Sequence, residues 1–559
     1  MALALLAAPI QVRADAAAGS NEAVVRATLA GKSSAAVELW DLSRWREPLT
    51  ALYAKRAFAP LWFTDGELTD AGAALIRQLR DVERRGLLPG DYDGERLARL
   101  AAQFEGEEPL SSEALMRLDV ALSVVAARVA SDLHDGRIDP GAVGYDLDIP
   151  RPAFRADEIV AAFARARSVS AALNALEPQL RHYLLLKQAL ASYRAMATHP
   201  ELTKLPSLPR QRVRPGERYV GAPALRQLLR TLGDLRGPPN PSAADALVLD
   251  PELVTGLMRF QARHGLEADG VLGRGTFRAL TTPLAARVQP IVLALERARW
   301  LPPKLDSPPI IVNIPQFRLF AFRTTHDFAQ DMLQMDVIVG SAFEARRTPV
   351  FAADMTYVVL QPYWDVPHSI LLNEQLPEIL ANPSWVVDNG FEIVEGQSDD
   401  AVVQPVTDRN VQLLAQGKLR LRQKPGPANA LGSVKFMFPN RHNVYLHDTP
   451  ARSLFSRSRR AFSHGCIRVS NPMALLAHVM RDDPTWNAER LVAALESKTP
   501  VRVPLPRPIR VFIMYSTALA TEAGDTLFFD DIYDQDRRLT ALLASRRARA
   551  MMRAVKPAR

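Results

Sequence analysis

The chain reads as a multidomain α+β protein: a helical first half, a small three-helix module, and a mostly β domain with an inserted excursion. Three observations lead there. With 559 residues, 48% of them hydrophobic and 23% charged, the chain is too long for one core and ordinary in its globular composition. Its apolar spacing is helical, in steps of three and four, through the first half and alternating after residue 309. Two proline clusters separate these regimes: Pro200, Pro206, Pro209 and Pro215, then Pro302, Pro303, Pro308 and Pro309.

Taken in order, Met1 to Ile10 is apolar and is followed by Arg13-Ala14-Asp15-Ala16. This is the apolar half of a secretory leader and an Ala-x-Ala-like cleavage site, without the basic residues that precede one. Residues 1–20 are therefore read as a truncated leader, and the protein as exported. Residues 36–200 form a helical scaffold. Leu118, Leu122, Val125, Val129 and Leu133 share a helix face that Gly136 ends; Asp70 opens another helix carrying Leu75, Ile76, Leu79 and Val82, and a third after Pro178 carries Leu180, Tyr183, Leu184 and Leu190. Trp40, Trp45, Trp62 and Phe63 are expected in its core. Nothing in this half gathers titratable groups at a catalytic spacing.

Residues 213–285 form the small module. Leu225, Leu228, Leu229 and Leu232 make one helical face, and Asp250-Pro251 caps and opens the next helix. The run Phe260-Gln261, Gly265-Leu266, Asp269-Gly270-Val271, Gly273, Thr276, Ala279-Leu280 resembles the peptidoglycan-binding three-helix module, with a proline-rich insertion, Arg236 to Pro241, between its first two helices.

The mostly β domain spans residues 308–505. Ile310, Val312 and Ile314 pair with Leu319 and Ala321 around Pro315, Met335, Val337 and Val339 form a strand before Gly340, and Tyr357, Val359 and Gln361 continue the sheet. Over about 370–430 the alternation lapses into a helical stretch and a polar loop, read as a lid. Strands return after Phe438, and residues 506–535 complete the domain. The 69 basic and 61 acidic residues give +8 and a sequence pI near 9.6. Much of the excess lies in residues 536–559, expected to be a solvated basic tail. The excess is small for this length and no nucleic-acid motif accompanies it, so nucleic acid is not a partner. No stretch has the roughly eighteen apolar residues of a membrane span.

The chemistry is concentrated at Ser463-His464-Gly465-Cys466-Ile467-Arg468-Val469 and, nineteen residues before the cysteine, at His447 in Tyr445-Leu446-His447-Asp448. Cys466 is the only cysteine, and Gly465 lets the backbone turn tightly beside it. A free thiol is only a few per cent ionised at neutral pH, so a nucleophilic cysteine needs a histidine to take its proton. Strand alternation puts Tyr445 and His447 on one face. Asp448 should face the other way, so a backbone carbonyl near it is the expected partner of the second His447 nitrogen. Amides around His464, Gly465 and Cys466, with the Tyr445 hydroxyl, are the available oxyanion donors. A zinc site from His442, His447, His464 and Cys466 has suitable ligand types, but on an unbroken strand His442 faces away from His447, and no metal is expected.

These two segments resemble the catalytic signature of the L,D-transpeptidases, cysteine enzymes that crosslink peptidoglycan. The stretch Lys424-Pro425-Gly426-Pro427, Asn429-Ala430-Leu431-Gly432, Lys435-Phe436, Phe438-Pro439-Asn440 resembles their large periplasmic branch, as does the order of parts. The resemblance implies a helical scaffold, a peptidoglycan-binding module and a mostly β catalytic domain with a lid. It implies Cys466 as nucleophile, His447 as base, and Tyr445, Ser463, His464, Gly465, Arg468, Asp448 and Trp364 as oxyanion or substrate contacts, Trp364 from the lid side. The implied partner is peptidoglycan, its stem peptides and glycan; the implied enzyme is a periplasmic monomer needing no cofactor. It would join third-position diaminopimelate residues and release D-alanine through a thioester. Two rivals remain open from sequence: an L,D-carboxypeptidase or amidase-type hydrolase on the same site, and a scaffold that binds glycan without catalysis.

Overall fold

The computed structural model describes residues 8–32, 42–103, 111–237, 246–325 and 332–555. Trp40 and the proline-rich insertion from Pro238 onward lie outside the described residues. The architecture is α+β in three parts: helical scaffold, three-helix module and barrel-like β domain.

The scaffold is built on the helix Ser112–His134, which Ser111 caps by accepting the Ala114 N–H. Its apolar face was legible, but the helix is buried on all sides, taking Asp119, Ser123, Arg128 and Asp132 into the core with it. Such residues are tolerated only when hydrogen-bonded. Asp119 accepts from the Tyr53 hydroxyl at 2.6 Å and from the Trp62 amide at 2.7 Å. Trp45, Trp62 and Phe63 are buried in the same core. The first described segment is itself helical, Ala8–Leu29, with Val25 and Leu29 in that core.

In the module, helices Ala222–Thr231, Pro251–Arg263 and Arg274–Leu280 surround Leu225, Leu229, Leu253, Leu257 and Phe260. The Asp250 side chain caps the second by accepting the Leu253 N–H at 2.8 Å. Gln261 is buried and ties the following turn: its amide donates to Asp269, Val271 and Thr276, and its carbonyl oxygen accepts from Gly270. The turn residues of the sequence run are thus explained by one side chain.

A helix that the sequence reading passed over, Leu284–Ala298, joins the parts. It packs along the scaffold helix Arg181–Ala197 through Ile291, Leu295 and Leu190. Glu296, fully buried, accepts from Arg137 at 3.0 Å and Arg299 at 3.2 Å; Arg297 pairs with Asp536 at 2.6 Å.

The β domain contributes strands β1 (Ile310–Asn313), β2 (Arg318–Ala321), β3 (Leu333–Gly340), β4 (Phe351–Leu360), β5 (Val434–Met437), β6 (Leu446–His447), β7 (Ala461–Ser463), β8 (Ile467–Val469) and β9 (Val501–Met514). They form one nine-stranded sheet in the order β7-β3-β8-β6-β5-β4-β9-β1-β2. Pairing of β2 with β3 closes it on itself, which removes an exposed edge. Val312, Leu319, Val337, Val358, Phe436, Leu446, Ile467 and Val511 fill its interior.

Two expectations need correction. The lid has the expected helical stretch, His368–Ile370, Leu371–Gln375 and Leu376–Ala381, but no mere polar loop follows it: Trp364–Asp365, Phe391–Glu395, Val402–Gln404 and Arg420–Gln423 form a four-stranded sheet of its own around Leu371, Ile379, Phe391, Ile393 and Leu421. Nor is the tail solvated from residue 536. The helix Gln535–Val555 buries Leu539 and Leu543 in the barrel's core cluster, and its Arg546 grips Asp132 of the scaffold with two hydrogen bonds at 2.7 and 2.6 Å. Lys556 and Arg559 lie outside the described residues.

Candidate active site

The site sits where β5, β6 and β8 run side by side. Leu446 pairs with Phe436 and Ile467, and all three point into the barrel. Their neighbours must point outward, because alternate residues of a strand face opposite sides. The next rung, Lys435–His447–Arg468, is therefore on the outer face. That face is covered, for His447 is 4% exposed.

His447 Nδ1 donates to the Asp448 carbonyl at 2.5 Å. A carbonyl only accepts, so the proton is on Nδ1 and Nε2 presents a lone pair. Burial, then the Arg468 guanidinium, pushes the imidazole down to about 3, against the Asp448 hydrogen bond. At neutral pH this histidine is uncharged and is a base in waiting.

Cys466 follows Gly465, whose φ of +123° is a conformation that side chains disfavour. The loop between β7 and β8 is braced on both sides. Ser463 Oγ donates to the Cys466 carbonyl at 2.5 Å and accepts the Gly465 N–H at 3.2 Å. Thr348 Oγ1 donates to the Gly465 carbonyl at 2.7 Å while accepting the Gly340 N–H at 2.8 Å; Tyr533 ties the same turn by donating to the Gly340 carbonyl. Gly340 cannot be replaced, since a Cβ would lie 2.0 Å from the Arg346 carbonyl oxygen. Cys466 Sγ points to the Asn443 carbonyl at 3.7 Å. Burial pushes the thiol up, while the Tyr445 amide and hydroxyl, then Lys435 and Arg468, favour the thiolate without overcoming it.

The other residues singled out from sequence divide. Tyr445 stands beside the base, its ring centroid 5.7 Å from that of His447 in an edge-on contact, and its hydroxyl is directed to the sulfur. Arg468 is on the outer rung with Nε sealed from solvent and unpartnered. His464 turns to the lid, its Nε2 2.6 Å from Glu374, which also pairs with Arg346 at 3.1 Å. Glu374 lies on a π-helical turn, Leu371–Gln375. Ser463 and Gly465 are braces of the loop, and the Gly465 amide is already spent on Ser463 and not free for an oxyanion. Among the described residues no acceptor is found for the Cys466 N–H. The Asp448 carboxylate is consumed by Ser433, Thr449 and Arg452, so only its carbonyl serves the base. Trp364 packs on Phe391, with ring centroids 6.0 Å apart, and has no ring contact with Tyr445 or His447. The parity argument for His442 does not apply, because the extended backbone is interrupted at Asn443 (φ +53°); its ring reaches Asp146 at 3.0 Å instead. Among the described residues no group of His, Cys, Asp and Glu side chains is arranged to hold a metal ion. Sequence reasoning missed Lys435, Thr348, Glu374 and Tyr533. Strand register would have found Lys435; nothing local marks the others.

Three stretches of the chain match known domains. Residues 47–190 match a sequence profile described as "Scaffold domain", residues 222–280 one described as "Putative peptidoglycan binding domain", and residues 308–503 one described as "L,D-transpeptidase catalytic domain". A curated protein of Haemophilus influenzae, described as "Putative L,D-transpeptidase", is 33% identical over 251 residues, 45% of this chain and 49% of that protein. The chain thus spans about half the length of the curated relative it matches. No helix among the described residues is long and apolar enough to cross a membrane. Cys466 and His447 both lie within residues 308–503, the part of the chain that matches the L,D-transpeptidase catalytic domain.

Proposed function

We propose that the protein is a cysteine acyltransferase acting on the stem peptides of peptidoglycan in the periplasm. The observation that carries this is the neutral His447, its Nδ1–H held by the Asp448 carbonyl, beside Tyr445, whose hydroxyl is directed to a lone cysteine on a braced glycine loop. Cys466 Sγ attacks the carbonyl of the third stem residue and its proton passes to His447 Nε2. The Cys466 N–H and the Tyr445 hydroxyl face the developing oxyanion, where fixed donors are worth about 3–4 kcal/mol. The C–N bond breaks, His447 returns the proton to the amine of the departing D-alanine, and a thioester remains. The side-chain amine of a neighbouring stem's diaminopimelate then attacks, loses a proton to His447 and displaces the thiol. The profile match of residues 222–280 supports peptidoglycan as the polymer held nearby.

Purified protein incubated with tetrapeptide muropeptides should release D-alanine and yield dimers joined between third positions, read by mass spectrometry. The Cys466→Ala variant should yield neither. Free tripeptide with no dimer would identify the hydrolase instead, and an unreactive thiol toward a carbapenem would identify a non-catalytic scaffold.

A further inference from the structure

Lys435 lies directly opposite His447, and His447 directly opposite Arg468, so two cations bracket the base on one rung of the sheet. Lys435 is half-buried, with Nζ 4.0 Å from the centroid of the Tyr445 ring, and therefore on the side of the base where the sulfur is. Burial pulls its ammonium below the usual lysine range, and Cys466 then acts against that pull. Among the described residues no carboxylate lies within 4.0 Å of either cation, and no hydrogen bond to Lys435 Nζ is found. The lid acids Asp365 and Asp399 act on Lys435 only from farther away, and Asp365 is paired with Arg420. Taking a charge out of water is costly unless a partner repays it. Two cations with no carboxylate partner, Lys435 resting only on the face of Tyr445, are explained if an anion completes the site during turnover.

The reaction proposed above supplies that anion. In a donor stem that ends one residue after the scissile bond, the terminal carboxylate carbon is separated from the scissile carbon by one N–Cα unit. Summed bond lengths allow at most about 4 Å between them. A cation next to Cys466 would meet it. A donor one residue longer would place a neutral amide there.

We propose that Lys435, backed by Arg468, binds the carboxylate of the departing C-terminal residue and so restricts donors to stems that end one residue beyond the attacked carbonyl. Lys435 is then a substrate-binding residue that sets donor length. The inference rests on the acyl-transfer reading.

The test compares three donors by the rate of thioester formation, read as intact mass: the tetrapeptide stem, the same stem ending in D-alaninamide, and the pentapeptide. Wild type should favour the free carboxylate by about ten- to a hundredfold in kcat/KM, the range of a hydrogen bond to a charged group. Lys435→Met should lose that preference by slowing the carboxylate donor more than the amide donor, and Lys435→Arg should restore part of it; because Lys435 also favours the thiolate, Lys435→Met should slow iodoacetamide alkylation, but by no more than it slows the amide donor. Equal loss on the carboxylate and amide donors, together with slower alkylation, would overturn the proposal and make Lys435 a support of the thiolate. So would a wild type that does not distinguish carboxylate from amide, a comparison that needs no variant to fold. Wild type that alkylates but is acylated by none of the three donors would overturn the acyl-transfer reading itself, and this inference with it.

Discussion

His447 and Cys466 are both uncharged at rest, and this decides how the site responds to pH. A histidine lowered to about 3 has given up its proton well before neutrality, so the base form is complete across the ordinary range. The thiol is raised by burial, so the thiolate fraction is small at pH 7 and grows with alkalinity. Thioester formation assisted by His447 should therefore persist down to about pH 5, where a histidine of ordinary pKa near 6.5 would be mostly protonated. Alkylation by iodoacetamide, which reports free thiolate, should climb steadily above pH 8. Stopped-flow acylation and alkylation over pH 5–10 check both; a common inflection near 6.5 would mean an ion pair instead. His447→Gln should slow acylation by about 10²–10⁴-fold, the usual contribution of a general base. At this scale the sequence was informative where chemistry is local: a single cysteine, a glycine beside it, and the alternation that groups Tyr445 with His447. Alternation also turned the Asp448 carboxylate away, to Ser433 and Arg452, and left a carbonyl for His447; what it could not show is that the Ser463 oxygen is spent on the Cys466–Gly465 loop. A polar side chain near a nucleophile looks the same on paper whether it faces substrate or its own backbone.

Among the elements, the Cys466 loop is held at two places that sequence could not indicate, one on the turn after β3 and one on the lid. Thr348 joins the turn after β3 to Gly465, and Glu374 joins the lid to His464 and Arg346. Both contacts connect segments about a hundred residues apart, and neither has a local pattern. Thr348→Val keeps the shape and removes the hydroxyl, leaving the Gly340 N–H and the Gly465 carbonyl without their shared partner. The expected cost is about 1–3 kcal/mol in local order. It should appear as a fall in kcat with KM little changed, because the loop aims the sulfur and does not hold substrate. Glu374→Gln should act differently. It weakens a partly exposed charge-assisted contact worth about 1 kcal/mol after solvent screening. The lid should open more often, raising KM and speeding hydrogen exchange in residues 371–381 while the chemical step in single turnover stays the same. The lid's own sheet was unreadable for a related reason: strands of two to five residues, such as Trp364–Asp365 and Arg420–Gln423, are too short to show alternation, and they pair only because the chain returns to them.

Across the whole molecule, the three parts are locked by buried charges that look like ordinary surface residues in the sequence. Helical and alternating periods gave the order of domains, because each reports one face of one element. They could not show that Asp132, on an apolar helix, waits for Arg546 more than four hundred residues later, or that Glu296 and Arg297 tie the Leu284–Ala298 helix to Arg137 on one side and Asp536 on the other. Asp132 is almost fully buried and also accepts from the Tyr92 hydroxyl at 2.6 Å. Removing only its cationic partner strands a carboxylate in a low-dielectric interior, whereas removing both partners removes the problem. Arg546→Met should therefore destabilise the protein by about 3–5 kcal/mol, while Arg546→Met combined with Asp132→Asn should recover much of that loss, a non-additivity that marks direct coupling. Denaturant melts of the single and double variants measure it. If the C-terminal helix were only a solvated basic tail, Arg546→Met would change the midpoint by a few tenths of a kcal/mol at most, as exposed substitutions do, and Asp132→Asn would neither add to it nor offset it.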